Sequence, residues 1–397
     1  VWSAIVVRLP SAGFSLSVNE RFWLVALPGL VGATLRIPYA FAVQIAGTRR
    51  VVTLATASLL IPAIGIGVAV QAPTTPTWVL FVLAALAGLG GANFSAFMPS
   101  TSLFFPKAAQ GAALGVQAGL GNLGVSLVQF ATPALIGWGA LSLGAPQELT
   151  TRTGHQAVWL QNAAFFWVIP IGLTTACAAT LLRDAPTRAS FREQASIFKD
   201  RHTWFMTALY IMTFGSFSGF AAATGLLIGE VFGSARFAGA PDPLAYAFLG
   251  PLVGSLARPL GGWLSDRAGG ARVTLLCALG LVAAAAGLAL CSEPASVDDF
   301  PLFLGLLLAL FFAAGIGNGS TFRMIPILFP AKQAAPVLGW TAAIAAYGAF
   351  ILPFAFGAAL ARTGSPAVAL WALVGFYLAN AALCFFAYAR PGASRPC

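Results

Sequence analysis

Two arginines stand inside long apolar runs of this chain: Arg36 in LVGATLRIPYAF (30–41) and Arg258 in LVGSLARPLGG (252–262). A guanidinium stays charged at any accessible pH. At the centre of a bilayer it costs about 2.5–3.5 kcal/mol on insertion scales, so each needs a partner. The 11 acidic residues of the chain, such as Glu20, Glu148, Asp184, Glu230, Asp242 and Asp266, all read as lying in loops or at segment ends. With no internal carboxylate in view, two guanidiniums facing one cavity make a site for an external anion. Their rigid donor forks suit a planar oxyanion. A lone intramembrane arginine could instead bond backbone carbonyls and only hold helices together. A pair at repeat-equivalent positions weighs against that. A third arginine, Arg323 in GNGSTFRMIP (317–326), has no repeat partner and reads equally as structural, gating or substrate-contacting.

The elements that must position these residues are membrane helices. The chain has 397 residues, 59% hydrophobic and 8% charged, whereas soluble domains carry about 25% charge. That composition predicts an all-α polytopic membrane protein. Its 43 Gly and 25 Pro fit helices whose neighbours re-satisfy the backbone. The five cysteines form no CxxC, and His155 and His202 read as polar-loop residues. Neither a metal site, a cofactor nor a disulfide framework is expected. The net charge of +10 sits mostly in short loops, as topology determinants do, which argues against nucleic acid. No cleavable signal peptide is evident. The first apolar stretch, Val1–Leu9, is too short to span, so a clipped first helix is expected.

Spanning segments are predicted near 22–46, 51–72, 77–104, 109–137, 157–182, 204–229, 243–265, 272–291, 301–329, 335–361 and 366–389. Numbered after the short first segment, these are helices 2 to 12. The polar stretch 183–203 divides them, giving an N-terminal half at 1–182, a linker at 183–203 and a C-terminal half at 204–397. Arg49, Arg50, Lys107, Arg183, Arg188, Arg192, Lys199, Arg201, Arg267, Arg272, Lys332, Arg390 and Arg395 fall at one end. Arg8, Arg21, Arg152, Arg236 and Arg362 fall at the other. The basic excess makes the first end cytoplasmic, with the C-terminus inside.

The halves repeat. At a constant offset of 222 residues Gly32 meets Gly254, Arg36 meets Arg258, Gly47 meets Gly269 and Arg50 meets Arg272. At an offset of 224, Phe105-Pro106 meets Phe329-Pro330 and Leu114-Gly115 meets Leu338-Gly339. Arg36 lies about 16 Å along a helix from Gly47, near the middle of a core about 30 Å thick. Helix 5 carries Gly111, Gly115 and Gly119 at the four-residue spacing of closely packed membrane helices, followed by Gly121 and Gly124. Residues 119–124, GLGNLG, also satisfy GxGxxG, but inside an apolar helix, with no preceding strand, they carry no dinucleotide reading. Asn122 on this stretch reads either as an interhelical hydrogen bond or as an oxyanion donor.

Two parallel six-helix halves are the architecture of the major facilitator superfamily. GGWLSDRAGGAR (261–272) resembles that superfamily's loop motif, in which an Asp and basic residues, here Asp266, Arg267 and Arg272, brace the inward-facing end. The matching stretch YAFAVQIAGTRR has lost the Asp. GATLRIPYAF, GGANFSAFMPS, FFPKAAQGAALGVQAGLGNLGVS, LYIMTFGSFSGF, FLGPLVGSLARPLGG and GIGNGSTFRMIP together resemble the nitrate/nitrite porters of this superfamily, the NarK type. The resemblance implies that Arg36 and Arg258 hold the anion and that Asn122 adds hydrogen bonds. It also implies that Phe94, Tyr210 and Phe214 wall a flat ion. The second copy of the glycine signature, LGWTAAIAAYGAF (338–350), departs from the pattern: Ala345, Ala346 and Tyr347 stand there, and Gly348 survives.

The expected function is alternating-access transport of nitrate and nitrite, most simply as antiport, because no intramembrane acid serves a proton. The family also has proton-coupled members, so symport is the alternative, as is a porter for another small anion. A channel and a membrane enzyme are weaker readings, the latter because the apolar helices offer no nucleophile–base pair. The expected protein is a monomer of the bacterial cytoplasmic membrane.

Overall fold

In the computed structural model, residues 1–104, 107–139, 144–151, 154–184 and 195–393 are described. Arg152, Arg188, Arg192, Arg395, the Phe105-Pro106 pair and residues 185–194 of the expected linker lie outside them. The short α1 is Trp2–Arg8, and α2 is Val18–Ala46. The next span, α3, runs Thr48–Ala69; α4 comprises Thr77–Ala87 and Leu89–Phe104, and α5 is Lys107–Gly137. After a small hairpin come α6 (Asn162–Leu181) and α7 (Arg201–Phe232). Then follow α8 (Pro243–Ala247 and Leu249–Ala268), α9 (Gly270–Leu290) and α10 (Phe300–Leu328). The chain ends with α11 (Ala331–Ala345 and Gly348–Thr363) and α12 (Ala367–Cys384). The protein is an all-α polytopic membrane protein: among the described residues 10 stretches are long and apolar enough to cross a bilayer. The span α8 is not among those stretches; it carries Arg258, Asp266 and Arg267.

The sequence repeat reappears in backbone geometry. Gly47 and Gly269 turn α2 into α3 and α8 into α9 with φ of 86° and 88°, a region that an L side chain rarely enters. At Gly47 the Asp184 carboxylate fills the space where a side chain would sit, and its Oδ1 accepts from Arg49 N–H at 2.9 Å.

Glycines set the helix crossings that carry the arginines. A Cβ at Gly32 of α2 would lie 2.9 Å from Gly88 O and 3.2 Å from Gly91 Cα of α4. Its repeat partner, Gly254 of α8, meets Gly315 of α10 in backbone contact, and Gly319 of α10 lies against Arg258 O. Arg36 and Arg258 each follow these crossings by one helical turn. The same close approach joins α7 to α11 at Gly215 and Gly348. Gly121 and Gly124 of α5, expected to share this role, have no atom within 4 Å of a built Cβ. In this conformation they mark no crossing. Gly111, Gly115 and Gly119 lie on α5, with surroundings outside the described residues.

The halves are tied together at the level of Arg36 and beyond it, toward the end where α2 begins. Gln129 Nε2 donates to Ala221 O (2.9 Å) and Ser126 Oγ to Phe248 O (3.0 Å), joining α5 to α7 and α8. Ion pairs Arg8–Asp242 (2.6 Å) and Arg21–Glu230 (2.7 Å) close the same end.

Three local expectations change. The hairpin Gln147–Thr151 with Gly154–Val158 was not expected. His202 is not in a loop: it lies in the first turn of α7, 4% exposed, with Nδ1 2.9 Å from Tyr388 Oη. Ala195–Lys199 is a 3-10 turn whose Phe198 packs on Trp340 of α11 at 4.6 Å.

Gly348→Ala drives a methyl group into the Gly215 backbone, and overpacking of this kind costs about 1–3 kcal/mol. The melting temperature in detergent should fall for that variant and hold for Gly121→Ala. Equal losses for the two would contradict the packing described.

Candidate anion site

Arg36 and Arg258 are both buried, each 8% exposed, yet their surroundings differ. Arg36 Nε donates to Gly91 O of α4 and Nη1 to Ala342 O of α11, each at 3.0 Å. Its guanidinium also lies 5.1 Å from the Phe94 ring centroid and 5.7 Å from that of Phe214. Hydrogen bonds to a charged group contribute about 1.5–3 kcal/mol each, and a cation over a ring about 0.5–2. These offset a mid-membrane charge without a carboxylate. Backbone carbonyls therefore do hold Arg36, the alternative weighed for a lone arginine.

Arg258 is less well served. Nη2 donates to Tyr210 Oη at a long 3.3 Å, and the guanidinium lies 5.1 Å from the Phe322 ring. Nη1 is buried with no hydrogen-bond partner. Asn122 is likewise buried, 9% exposed, and its Nδ2 has no partner. Asn122 precedes Ser126 by one turn on α5, so it shares the stripe through which Ser126 bonds Phe248 O of α8. Arg258 Nη1 is thus a buried cationic donor free to take an acceptor from outside the chain.

Aromatic rings join the two arginines. Phe214 beneath Arg36 stacks on Tyr210, centroids 5.4 Å apart and planes 5° from parallel. Tyr210 reaches Arg258 and packs on Phe322 at 4.8 Å. A π turn over Ile211–Gly215 lies between the Tyr210 turn and the rest of α7. Such turns recur at functional sites. Arg36, Phe94, Tyr210, Phe214 and Arg258 are thus brought together.

Phe322 was missed. It follows Gly315 and Gly319 by seven and three residues on the α10 stripe facing α8, and that glycine spacing was the available signal. The π turn has no such signal.

In the loop motif Asp266 pairs with Arg323 of α10. Arg267 lies over the Trp263 ring at 4.0 Å, and Arg272 is exposed. Arg323 is about 8 Å from the end of α10, close enough for its side chain, 47% exposed, to reach the basic end. Such an exposed pair contributes about 0–1 kcal/mol, so it acts as an orienting contact. Among the described residues no group of three or more His, Cys, Asp or Glu could hold a metal.

Comparison with known proteins matches residues 1–353 to the model of the Major Facilitator Superfamily. The chain is 54% identical to a Thermus thermophilus protein named probable nitrate/nitrite antiporter NarK2, over 100% of this chain and 90% of that one. It is 37% identical to the nitrate/nitrite transporter NarU of Escherichia coli K12, over 98% and 88%. Among solved structures, a bacterial homolog to the human lysosomal transporter Spinster, described as inward-facing and occupied, superposes with a TM-score of 0.67. That likeness, at 15% identity over 97% of this chain and 92% of the other, concerns the fold.

Asn122→Asp is nearly isosteric and replaces a donor by a carboxylate on the stripe facing α8. The added carboxylate should repel an anion at the site, so oxyanion affinity should fall at least about tenfold. Retained affinity would separate Asn122 from the anion.

Proposed function

The chain belongs to the Major Facilitator Superfamily, and we propose that it exchanges nitrate for nitrite across a bacterial cytoplasmic membrane by alternating access. The observation that carries this reading is the unpartnered, buried Arg258 Nη1 beside an aromatic wall that runs to Arg36. Nitrate and nitrite are flat, small and weakly hydrated. They can lie against rings while their oxygens take N–H donors in one plane. The names carried by the relatives point to the same two ions.

The exchanger is a multi-pass transporter with no catalytic role, working as a monomer, with the basic end and the C-terminus in the cytoplasm. With that orientation, the ties from Arg36 outward seal the periplasmic side, and the conformation is inward-facing. The N-terminal half (1–182) and the C-terminal half (204–397) rock about the anion, joined by the 183–203 linker. Asp266, Arg323 and the neighbouring Arg267 and Arg272 brace the cytoplasmic end. The described residues around the arginines include no Asp, Glu or His. Antiport therefore needs no proton carrier, whereas symport would.

Counterflow in proteoliposomes tests this. Labelled nitrate should enter vesicles loaded with nitrite and not anion-free vesicles, and an inward proton gradient should not help. Uptake into anion-free vesicles driven by protons would replace antiport by symport. Arg36→Lys and Arg258→Lys keep the charge but lose the fork. Each should lower exchange at least about tenfold; near-normal exchange in either would remove that arginine from the site.

A further inference from the structure

Helix α11 is broken at Ala346–Tyr347, between Ala331–Ala345 and Gly348–Thr363. Its two segments meet α2 in different ways. The Gly348–Thr363 segment is held by packing. A Cβ at Gly29 would lie 2.5–2.7 Å from the backbone of Ala349 and Phe350, and Trp23 packs on Phe350 and Phe354 at 5.8 and 5.0 Å. The Ala331–Ala345 segment is tied to α2 by the hydrogen bond from Arg36 Nη1 to Ala342 O. At the break itself, Tyr347 Oη lies 2.9 Å from Thr34 Oγ1.

The direction of that last bond is fixed by its neighbour. Thr34 Oγ1 donates its only proton to Leu30 O at 2.8 Å, so the Tyr347 hydroxyl is the donor and Thr34 the acceptor. Tyr347 stands where the first glycine signature has Leu123, at the offset of 224 residues. The departure from the glycine-rich pattern thus places a hydroxyl on the hinge of α11 and aims it at the opposite half.

Arg36 is also an anion ligand in the reading above. A side-on fork takes Nε–H away from Gly91 O, and an end-on fork shares Nη1 with Ala342 O. Either way, anion binding weakens a backbone tie of Arg36. It leaves the Tyr347–Thr34 bond untouched.

We propose that the Tyr347–Thr34 hydrogen bond, acting with the Arg36–Ala342 tie, is a strut between the halves that raises the barrier to reorientation without an anion. It thereby makes Tyr347 and Thr34 determinants of tight exchange. An anion held end-on draws on Nη1, loosens the Arg36–Ala342 member of the strut and lowers the barrier for the loaded carrier, whereas a side-on anion would loosen only the Gly91 O tie within the N-terminal half. The unloaded carrier keeps both. This rests on the exchange reading, and Tyr347 and Thr34 act through helix positions without touching the anion.

Tyr347→Phe removes the donor, and Thr34→Val removes the acceptor with little change of shape. Nitrate uptake driven by its own gradient is measured in vesicles without exchangeable anion, with the potential clamped by potassium and valinomycin. It is compared with nitrate–nitrite exchange in the same preparation. The ratio of uniport to exchange should rise about three- to tenfold for either variant, the worth of one hydrogen bond. The double variant should rise no further, and Thr34→Ser should behave as wild type. Ratios within about twofold of wild type for both single variants, in protein of unchanged melting temperature, would overturn the strut. Strictly additive effects would overturn the shared bond. Should wild-type protein fail to exchange nitrate for nitrite, the functional reading falls on its own. The strut is then read by amide hydrogen exchange over 338–350, which must quicken in Tyr347→Phe if it exists.

Discussion

The constraint on which this structure turns is the burial of two guanidiniums without a carboxylate. A charge buried in a membrane must pair with another charge, with backbone carbonyls or with what enters a cavity. Among the described residues the acids lie in loops and at helix ends, and Asp242, Glu230 and Asp266 there pair with Arg8, Arg21 and Arg323. The buried pair must be served by carbonyls, rings and whatever enters from outside. The two solve the problem unequally. Arg36 satisfies Nε and Nη1 within the protein, whereas Arg258 keeps Nη1 without a partner. Repeat-equivalent positions have diverged into one arginine that is largely compensated and one that is poised for an acceptor.

The carbonyls that serve Arg36 are available because of glycine. Gly91 O can accept from Nε because α2 crosses α4 closely at Gly32 and Gly91. The corresponding crossing of α8 on α10, at Gly254 and Gly315, brings Phe322 under Arg258. Small residues let membrane helices approach until backbone meets backbone. The same approach fixes the depth and the direction of each arginine. Packing and electrostatics are thus one arrangement: widening either crossing would move a charge away from the groups that hold it.

Much of this was legible beforehand. The apolar segments announced the spans, and the offset of Arg36 and Arg258 announced the two buried charges. Phe94, Tyr210 and Phe214 followed from resemblance and do gather at the arginines. What escaped was decided by tertiary contact. Arg323 looked buried because its neighbours are apolar, but a long side chain near a helix end can reach the interface, and Asp266 waits there. His202 looked solvated because its neighbours are charged, but helix α7 begins early enough to bury it against Tyr388. Gly121 and Gly124 of α5 extend a glycine run yet meet no neighbour, because spacing reports only which face a residue shares. Whether a neighbour comes to that face depends on where the helices stand. Tyr347 looked like decay of a motif until its hydroxyl met Thr34.

The unequal arginines also bear on which anion fits. Two full positive charges would favour a dianion such as sulfate. The charge on Arg36 is already spread over two carbonyl dipoles and two ring faces, so the field left for a ligand is closer to that of one cation. Sulfate would also need donors around a tetrahedron, while the surroundings of the two arginines offer rings and few free N–H groups. A dehydrated dianion against Phe94, Phe214 and Phe322 would leave oxygens facing aromatic carbon, and unpaired buried charge is severely unfavourable. A flat monoanion avoids this by turning its faces to the rings and its edge to the donors. Nitrate and nitrite share that shape and charge and differ by one oxygen. A site that recognises the shared features holds either ion, which is what an exchanger of the two requires.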